Sequence, residues 1–375
     1  MKTALVHEWL VFYAGGERVF ESLTNIWKDA DVFALVDFLN DEHRKIILKG
    51  KHAHTTFIQK LPFAEKKFRS YLPLFPLAIE SLNFSKYDVI ISSSHAVTKG
   101  IRKKPNQLHI SYCHSPMRYI WDEAETYFEA AKLNHGFKKI IATAILNYLR
   151  KWDLKTAKRP DYLLANSHYI AEKIKRIYKR ESTVIYPPVD VDKFSCVEQK
   201  DDYYFVASRL VPYKKIDLII EAFAQMPDKR LIVAGTGPEL NKLKNNFLVN
   251  VEFIGYQDES SLRELMQKAK AFVFSAEEDF GIVVVEAMAC GTPVIALNKG
   301  GTAETVIDGK TGILFDEQTA EDIKDAVKRF EKNEDRFNPK EISEHTKKFS
   351  RKIFEEKMKN YVDEKTEQFF GKNKK

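Results

Sequence analysis

The sequence predicts an α/β protein made of two doubly wound, parallel-sheet domains. Three observations carry that prediction. Short runs rich in β-branched and aromatic residues alternate with helical segments along the whole chain. The runs are close to continuously apolar, as expected of strands buried on both faces. A length of 375 residues with 44% hydrophobic content suits two cores of ordinary size.

In the first half the strand candidates are "TALVHEW" (3–9), "DVFALV" (31–36), "YDVIISSS" (87–94), "LHISYCH" (108–114) and "YLLANS" (162–167). In the second half they are "YYFVASR" (203–209), "RLIVAG" (230–235), "NVEFIGY" (250–256), "AFVFSA" (271–276), "PVIAL" (293–297) and "TGILF" (311–315). Helical segments fall between them, among them 215–226 and 258–269. A further helix over 167–180 has Ser167 as its N-cap and a basic outer face. The prolines of "YPPVDVDKF" (186–194) hold an extended segment and mark the domain boundary. The reading is therefore one domain over 1–190 and a second over 191–351, with a C-terminal helix of about 352–375 returning to the first. Open α/β sheets bind ligands at the carboxyl ends of their strands, so a cleft between the domains is the expected site.

Composition narrows the function. No apolar run approaches the roughly 20 residues of a membrane span. The N-terminal stretch reads as a first strand interrupted by His7 and Glu8 and not as a signal peptide. Cys113, Cys196 and Cys290 are odd in number and far apart, which indicates neither a disulfide framework nor a zinc site. The expected location is the cytoplasm. Residues 1–195 carry 31 Lys+Arg against 21 Asp+Glu, a balance of +10, and the remainder carries 29 against 32, or −3. A basic first half fits an anionic partner such as a membrane surface or a phosphorylated acceptor; an ordinary lysine-rich surface fits as well. The basic residues are scattered and form no nucleic-acid module, so no nucleic-acid partner is expected.

The stretch with the most chemistry is "EEDFGIVVVEAMACGTPVIA" (277–296). The strand before it should end near Ala276 and the helix should start near Phe280 to Ile282. Glu278 then lies in the loop at the carboxyl end of the sheet, and Glu286 lies one to two turns into the helix. The free N–H groups of a helix start favour a phosphate, and Gly281 allows close approach. Carboxylates repel phosphate but accept hydrogen bonds from sugar hydroxyls.

The block from "EEDFG" through "TGILF" (277–315) resembles the signature of retaining glycosyltransferases of the GT4 family, which have the GT-B fold of two Rossmann-like domains facing across a cleft. "SRLVPYKKID", "VAGTGPE" and "VEFIGYQ" resemble successive units of that family's second domain. In the first half, "HEWLVFYAGGERVFE", "YCHSPMRYIWD" and "LLANSHYIAEKIKRIY" with "VIYPPVDVDKF" resemble mannosyltransferases of bacterial surface-polysaccharide assembly.

The resemblance implies roles for named residues. Arg209 and Lys214 would neutralise a donor diphosphate, with Lys215 in place of Lys214 if the loop register slips by one. Glu286 would hold ribose hydroxyls and Glu278 the hydroxyls of the transferred sugar. The backbone of Phe280, Gly281 and Ile282 would complete the contacts. Tyr256 would line the base pocket, with core packing as the other reading. Gly15 and Gly16, opening a helix after the first strand, would face the donor diphosphate, and His114 would contact the donor sugar. Arg118 and Tyr119 would shape the acceptor side or pack a loop.

The reaction implied is transfer of a hexose, mannose from GDP-mannose, to a glycan or polyprenyl-diphosphate-linked acceptor, with retained configuration. No cofactor and no metal are expected. The two Asp-x-Asp triplets, Asp29/Asp31 and Asp190/Asp192, precede a strand and lie in the proline-bearing linker, where neither suits a diphosphate. "GTGPEL" lacks the third glycine of a dinucleotide loop. The alternatives are a sugar-nucleotide 2-epimerase of the same fold and a silent sugar-nucleotide binding protein. The stretch 137–152, apolar with basic ends, reads as a core helix or as a helix lying on anionic lipid at the inner face of the cell membrane.

Overall fold

A computed structural model describes residues 1–122, 135–244 and 249–371. The chain divides into two compact units, Met1–Tyr186 with Phe354–Lys375, and Pro187–Ile353.

The first unit is built on seven parallel strands: β1 Thr3–Leu10, β2 Asp31–Asp37, β3 His54–Thr55, β4 Val89–Ser94, β5 Leu108–Cys113, β6 Tyr162–Ala165 and β7 Thr183–Val184. Their order is β3-β2-β1-β4-β5-β6-β7. β1 feeds two layers of core, alternating from Ala4 to Val6 and departing from alternation at Trp9 and Leu10. Ala4, Val6 and Trp9 join a cluster with Phe33, Phe68 and Phe75, and Leu5 and Leu10 join one with Phe20, Ala34 and Tyr112. The latter cluster also takes Phe354, Met358 and Val362, which recur every four residues on the last helix, Arg351–Gly371.

The second unit has six parallel strands: β8 Tyr204–Ala207, β9 Leu231–Ala234, β10 Val251–Gly255, β11 Ala271–Phe274, β12 Val294–Leu297 and β13 Gly312–Phe315. Their order is β10-β9-β8-β11-β12-β13. Every residue of β8, β9, β11 and β12 is buried, which is why these runs read as continuously apolar.

In both sheets the order turns back beside the first strand, between β1 and β4 and between β8 and β11. Loops leaving the carboxyl ends of such a strand pair diverge and leave a crevice. The strands read from sequence are all present. The two missed, β3 and β7, are two-residue edges, too short for a periodicity to register. Helix Gly136–Thr156 buries Ala142, Leu146 and Leu149 while Ile140, Ile141 and Tyr148 stay exposed. Among the described residues no helix is long and apolar enough to cross a membrane.

Candidate functional site

In the second unit the loops after β8 and β11 meet. The loop after β8 carries Arg209, which is exposed, and Lys214, which is half-buried. Ser275, just after β11, donates its hydroxyl to the carbonyls of Lys215 at 2.8 Å and Lys214 at 3.3 Å. Its own carbonyl accepts from Gln318 Nε2 at 2.8 Å. Thus anchored, Lys214 Nζ donates to Glu278 Oε1 and lies 5.6 Å from the centre of the Phe274 ring. Lys215 takes a left-handed backbone, φ 54°, where the 3-10 turn over Pro212–Lys214 hands over to helix Ile216–Ala224.

Helix Ile282–Ala289 starts after Gly281, which has φ 82° and no side-chain cap. Glu286 is its fifth residue and only 8% exposed. The loop 277–281 is set by two glycines that the sequence reading had not singled out. A Cβ on Gly301 would lie 2.2 Å from Phe280 Cα, and one on Gly300 would lie 2.4 Å from the Glu278 carbonyl oxygen. Gly301 N–H donates to that carbonyl at 2.7 Å. "NKGG" thus fixes the height of Glu278 and Phe280 above the sheet. The glycines of "GTGPEL" serve the other loop: a Cβ on Gly235 would meet the Ser208 carbonyl at 1.8 Å, and one on Gly237 the Leu210 carbonyl at 2.2 Å. They let the β9 loop lie against the segment that carries Arg209.

In the first unit, helix Gly15–Ile26 follows β1. Gly15 and Gly16 are its first two residues, and Glu17 reaches back to accept the Ala14 N–H at 3.1 Å. A Cβ on Gly16 would meet only His7 Cε1, at an ordinary 3.7 Å, so packing does not demand glycine there. Glu8 points to the opposite face. Its carboxylate accepts the N–H groups of Ala96, Val97 and Thr98 at 2.8, 3.0 and 3.0 Å, which ties down the loop after β4. Burial pushes the Glu8 carboxyl up, but His95 and those N–H groups outweigh it and the net shift is downward.

That loop carries His95, whose ring lies edge-on to Trp9 at 4.5 Å and 6.1 Å from the ring of His114. Burial lowers His95 to about 4 and holds His114 well below the usual imidazole range. Both are neutral bases at physiological pH. His114 Nε2 lies 2.8 Å from Ser93 Oγ.

Comparison with known proteins bears on this arrangement. Residues 190–352 match the family described as Glycosyl transferases group 1, and residues 13–193 match Glycosyltransferase Family 4. The chain belongs to the GT4-like glycosyltransferase family. An uncharacterised glycosyltransferase of Methanocaldococcus jannaschii is 32% identical over 204 residues, 52% of this chain and 56% of that protein. A D-inositol 3-phosphate glycosyltransferase of Mycobacterium sp. strain JLS is 31% identical over 182 residues, 42% of this chain and 41% of that one. The chain thus spans about half the length of the curated relatives it matches. Crystal structures of Anabaena HepE with UDP and with UDP-glucose superpose with TM-scores of 0.69 and 0.66 at 16% and 17% identity, each covering 97% of this chain and 100% of that one. The fold is GT-B.

Within this GT4-like chain the structure brings together Lys214 and Glu278, and sets Gly281 at the start of the helix that carries Glu286. Tyr256 is 78% exposed, so the core-packing reading of that residue is wrong: Gly255 at φ 70° turns the chain outward after β10. Phe280 is buried and its ring packs on Phe349 at 5.5 Å. Tyr119 packs against the first-unit core, and Arg118 opens the short helix Arg118–Trp121. The basic face read for the Ser167 helix is only partly exposed, because Lys173 is buried against Asp122 at 2.5 Å. Ser167 does cap it, accepting Ile170 N–H at 3.1 Å. Asp190 is engaged with Arg351 at 2.5 Å, and Asp31 with Tyr87 and Lys2 at 2.7 and 3.1 Å.

Proposed function

We propose that the protein is a retaining, metal-independent glycosyltransferase that moves a hexose, mannose from GDP-mannose, to a glycan or lipid-linked glycan acceptor. The observation that carries this reading is the Lys214–Glu278 pair beside the helix start at Gly281. A cation and an acid that satisfy each other are primed for a ligand that is anionic at one point and hydroxylated next to it. A sugar nucleotide is such a ligand: its diphosphate takes over Lys214 and Arg209, and its hexose hydroxyls donate to Glu278. Glu286, almost buried, would bind ribose hydroxyls. In the first unit, His114 is assigned a sugar hydroxyl and the Gly15–Gly16 helix start a phosphate.

In the proposed reaction the acceptor hydroxyl attacks the anomeric carbon on the face from which the diphosphate departs. The bond from that carbon to the phosphate oxygen breaks as the bond to the acceptor oxygen forms. The acceptor proton passes to a departing phosphate oxygen, and a nucleoside diphosphate is released. The relatives' descriptions as glycosyltransferases and the UDP and UDP-glucose held by HepE support a nucleotide-sugar donor; the mannosyl assignment rests on the first-half motifs. A cytoplasmic location, peripheral to the inner face of the membrane, is part of the proposal.

A thermal-shift panel of nucleotide sugars tests the donor, with GDP-mannose expected to stabilise more than UDP-, ADP- or TDP-sugars. Turnover in chelator should persist. Donor without acceptor should give no epimer. A Glu286→Ala variant that turned over at the wild-type rate would remove the site.

A further inference from the structure

Four side chains of the first unit form one hydrogen-bonded line ending on His114. Glu17 Oε1 lies 3.4 Å from His7 Nε2, His7 Nδ1 lies 3.0 Å from Ser93 Oγ, and Ser93 Oγ lies 2.8 Å from His114 Nε2. His7 and Ser93 are fully buried and Glu17 is 3% exposed. The line runs across the sheet. His7 and Ser93 are register partners on β1 and β4, and His114 follows β5 with its N–H on the Ser94 carbonyl.

With a single hydrogen on the His7 ring, the chemistry of one end sets the direction of every bond. An ionised carboxylate only accepts, and Glu17 is already accepting the Ala14 N–H. The hydrogen between Glu17 and His7 therefore belongs to His7 Nε2. In a neutral imidazole the other nitrogen is then bare, so Nδ1 accepts and Ser93 donates its single hydroxyl hydrogen. Having given that hydrogen to His7, Ser93 can only accept from His114. His114 must carry its hydrogen on Nε2, and its Nδ1 is left as a lone pair. Among the described residues nothing is bonded to that Nδ1.

We propose that Glu17, His7 and Ser93 are positioning residues that lock His114 in the Nε2–H tautomer, so that its Nδ1 accepts a hydrogen bond from a sugar hydroxyl and offers nothing to a phosphate oxygen. A hydroxyl has a hydrogen to give; an ionised phosphate oxygen does not. The ligand half of this statement rests on the sugar-nucleotide reading, and the tautomer half does not.

The test is long-range proton–nitrogen NMR of the intact protein with 15N-labelled histidine at pH 7.5, the His114 signals being assigned by their loss in His114→Asn. The expected result is one protonated nitrogen, Nε2, and one bare nitrogen, Nδ1. Glu17→Gln, whose amide can donate as well as accept, should let His7 turn round and bring the two His114 nitrogen shifts together. Ser93→Ala should do the same and Ser93→Thr should restore the wild-type pair. A merely structural role for Glu17 would not move the nitrogens of His114, three hydrogen bonds away. An Nδ1–H tautomer or an imidazolium in the wild type overturns the lock, as do unchanged shifts in Glu17→Gln, which keeps the size of the side chain should Ser93→Ala not fold. GDP-mannose should then shift Nδ1 where GDP does not. A response to GDP alone overturns the hydroxyl assignment. No response to either, with the tautomer intact, counts against the sugar-nucleotide reading and leaves the lock standing.

Discussion

Lys214 Nζ donates to Glu278 Oε1, joining the loop after β8 to the loop after β11. The two side chains are 17% and 19% exposed. Each therefore keeps the other from adopting a solvated rotamer. On the proposed reading, a diphosphate that binds Lys214 draws the ammonium away from this carboxylate and leaves Glu278 to accept from whatever lies next to the phosphate.

The two partners should respond oppositely to removal. If Lys214 holds phosphate as proposed, Lys214→Met deletes charge-assisted bonds worth about 1.5–3 kcal/mol, and nucleoside diphosphate affinity should fall about 10–100-fold. Glu278→Gln removes the competitor for Lys214, and nucleoside diphosphate should bind at least as tightly as before. Turnover of the sugar nucleotide by Glu278→Gln should nonetheless drop. Calorimetric titration of both variants with nucleoside diphosphate separates the outcomes. A large loss of diphosphate affinity in Glu278→Gln would show that the carboxylate touches the phosphate side, contrary to the assignment.

Glycines of two kinds should be distinguishable by substitution. Gly301→Ala places a Cβ 2.2 Å from the Phe280 backbone, a clash that nothing flexible can relieve. It should lower the melting temperature by several degrees, a destabilisation of about 2–3 kcal/mol. Gly16→Ala meets only a 3.7 Å contact and improves helix propensity by up to about 1 kcal/mol. It should leave the melting temperature unchanged or raised while weakening nucleotide-sugar binding. If Gly16→Ala binds and turns over normally, the helix start at Gly15 is not a phosphate seat.

How much of this was legible beforehand follows the physics of each signal. The strands that build both sheets were readable because burial on both faces makes a run such as Phe272–Val273–Phe274 apolar without interruption. Glu278, Gly281 and Glu286 were readable because charges and a glycine in an apolar context demand a reason. Ser93 and Glu17 were not picked out. A serine at a strand end and a glutamate three residues after Ala14 are ordinary in sequence, the latter as half of a capping box; the register of β1 on β4 brings Ser93 to His7, and the helix that follows β1 brings Glu17. Gly300 and Gly301 were missed for a similar reason: their neighbours, Glu278 and Phe280, lie some 20 residues away along the chain. The exposure of Tyr256 depended on the backbone turn at Gly255, which a strand pattern does not encode.

The helix Gly136–Thr156 offers a check on membrane contact. Ile140 and Ile141 are 66% and 47% exposed and follow Lys138 and Lys139, which are exposed too. An apolar pair flanked by cations suits an anionic lipid surface. Flotation with anionic vesicles should carry the protein, and neutral vesicles should not. Ile140→Ser/Ile141→Ser should lose flotation without a change in melting temperature, since neither side chain is buried. Absence from both vesicle types would end the membrane part of the proposal.

Acid should destabilise the first unit in a defined window. Burial lowers His95 from 6.5 to about 4 and His109 from 6.5 to about 3, and it holds His114 well below 6.5. Between these values and 6.5 the unfolded chain binds protons that the native rings refuse. Unfolding is therefore favoured as pH falls, and the stability these rings contribute is fully present above about pH 6.5. Each ring contributes a slope of about 1.4 kcal/mol per pH unit within its window. Glu8 and Glu17, both shifted downward in the native state, act with the same sign but only below the ordinary carboxyl value of 4.5. The loss between pH 6.5 and 5 is therefore a histidine effect. Urea midpoints measured at pH 7.5, 6.0 and 5.0 should fall steadily. His109 bonds Ser92 through Nε2 at 2.8 Å and has no partner on Nδ1 among the described residues. His109→Asn, uncharged at every pH, should flatten the slope by one ring's share even where it lowers absolute stability. An equal slope in the variant, or midpoints unchanged down to pH 5, would mean that the buried imidazoles accept protons in the native state.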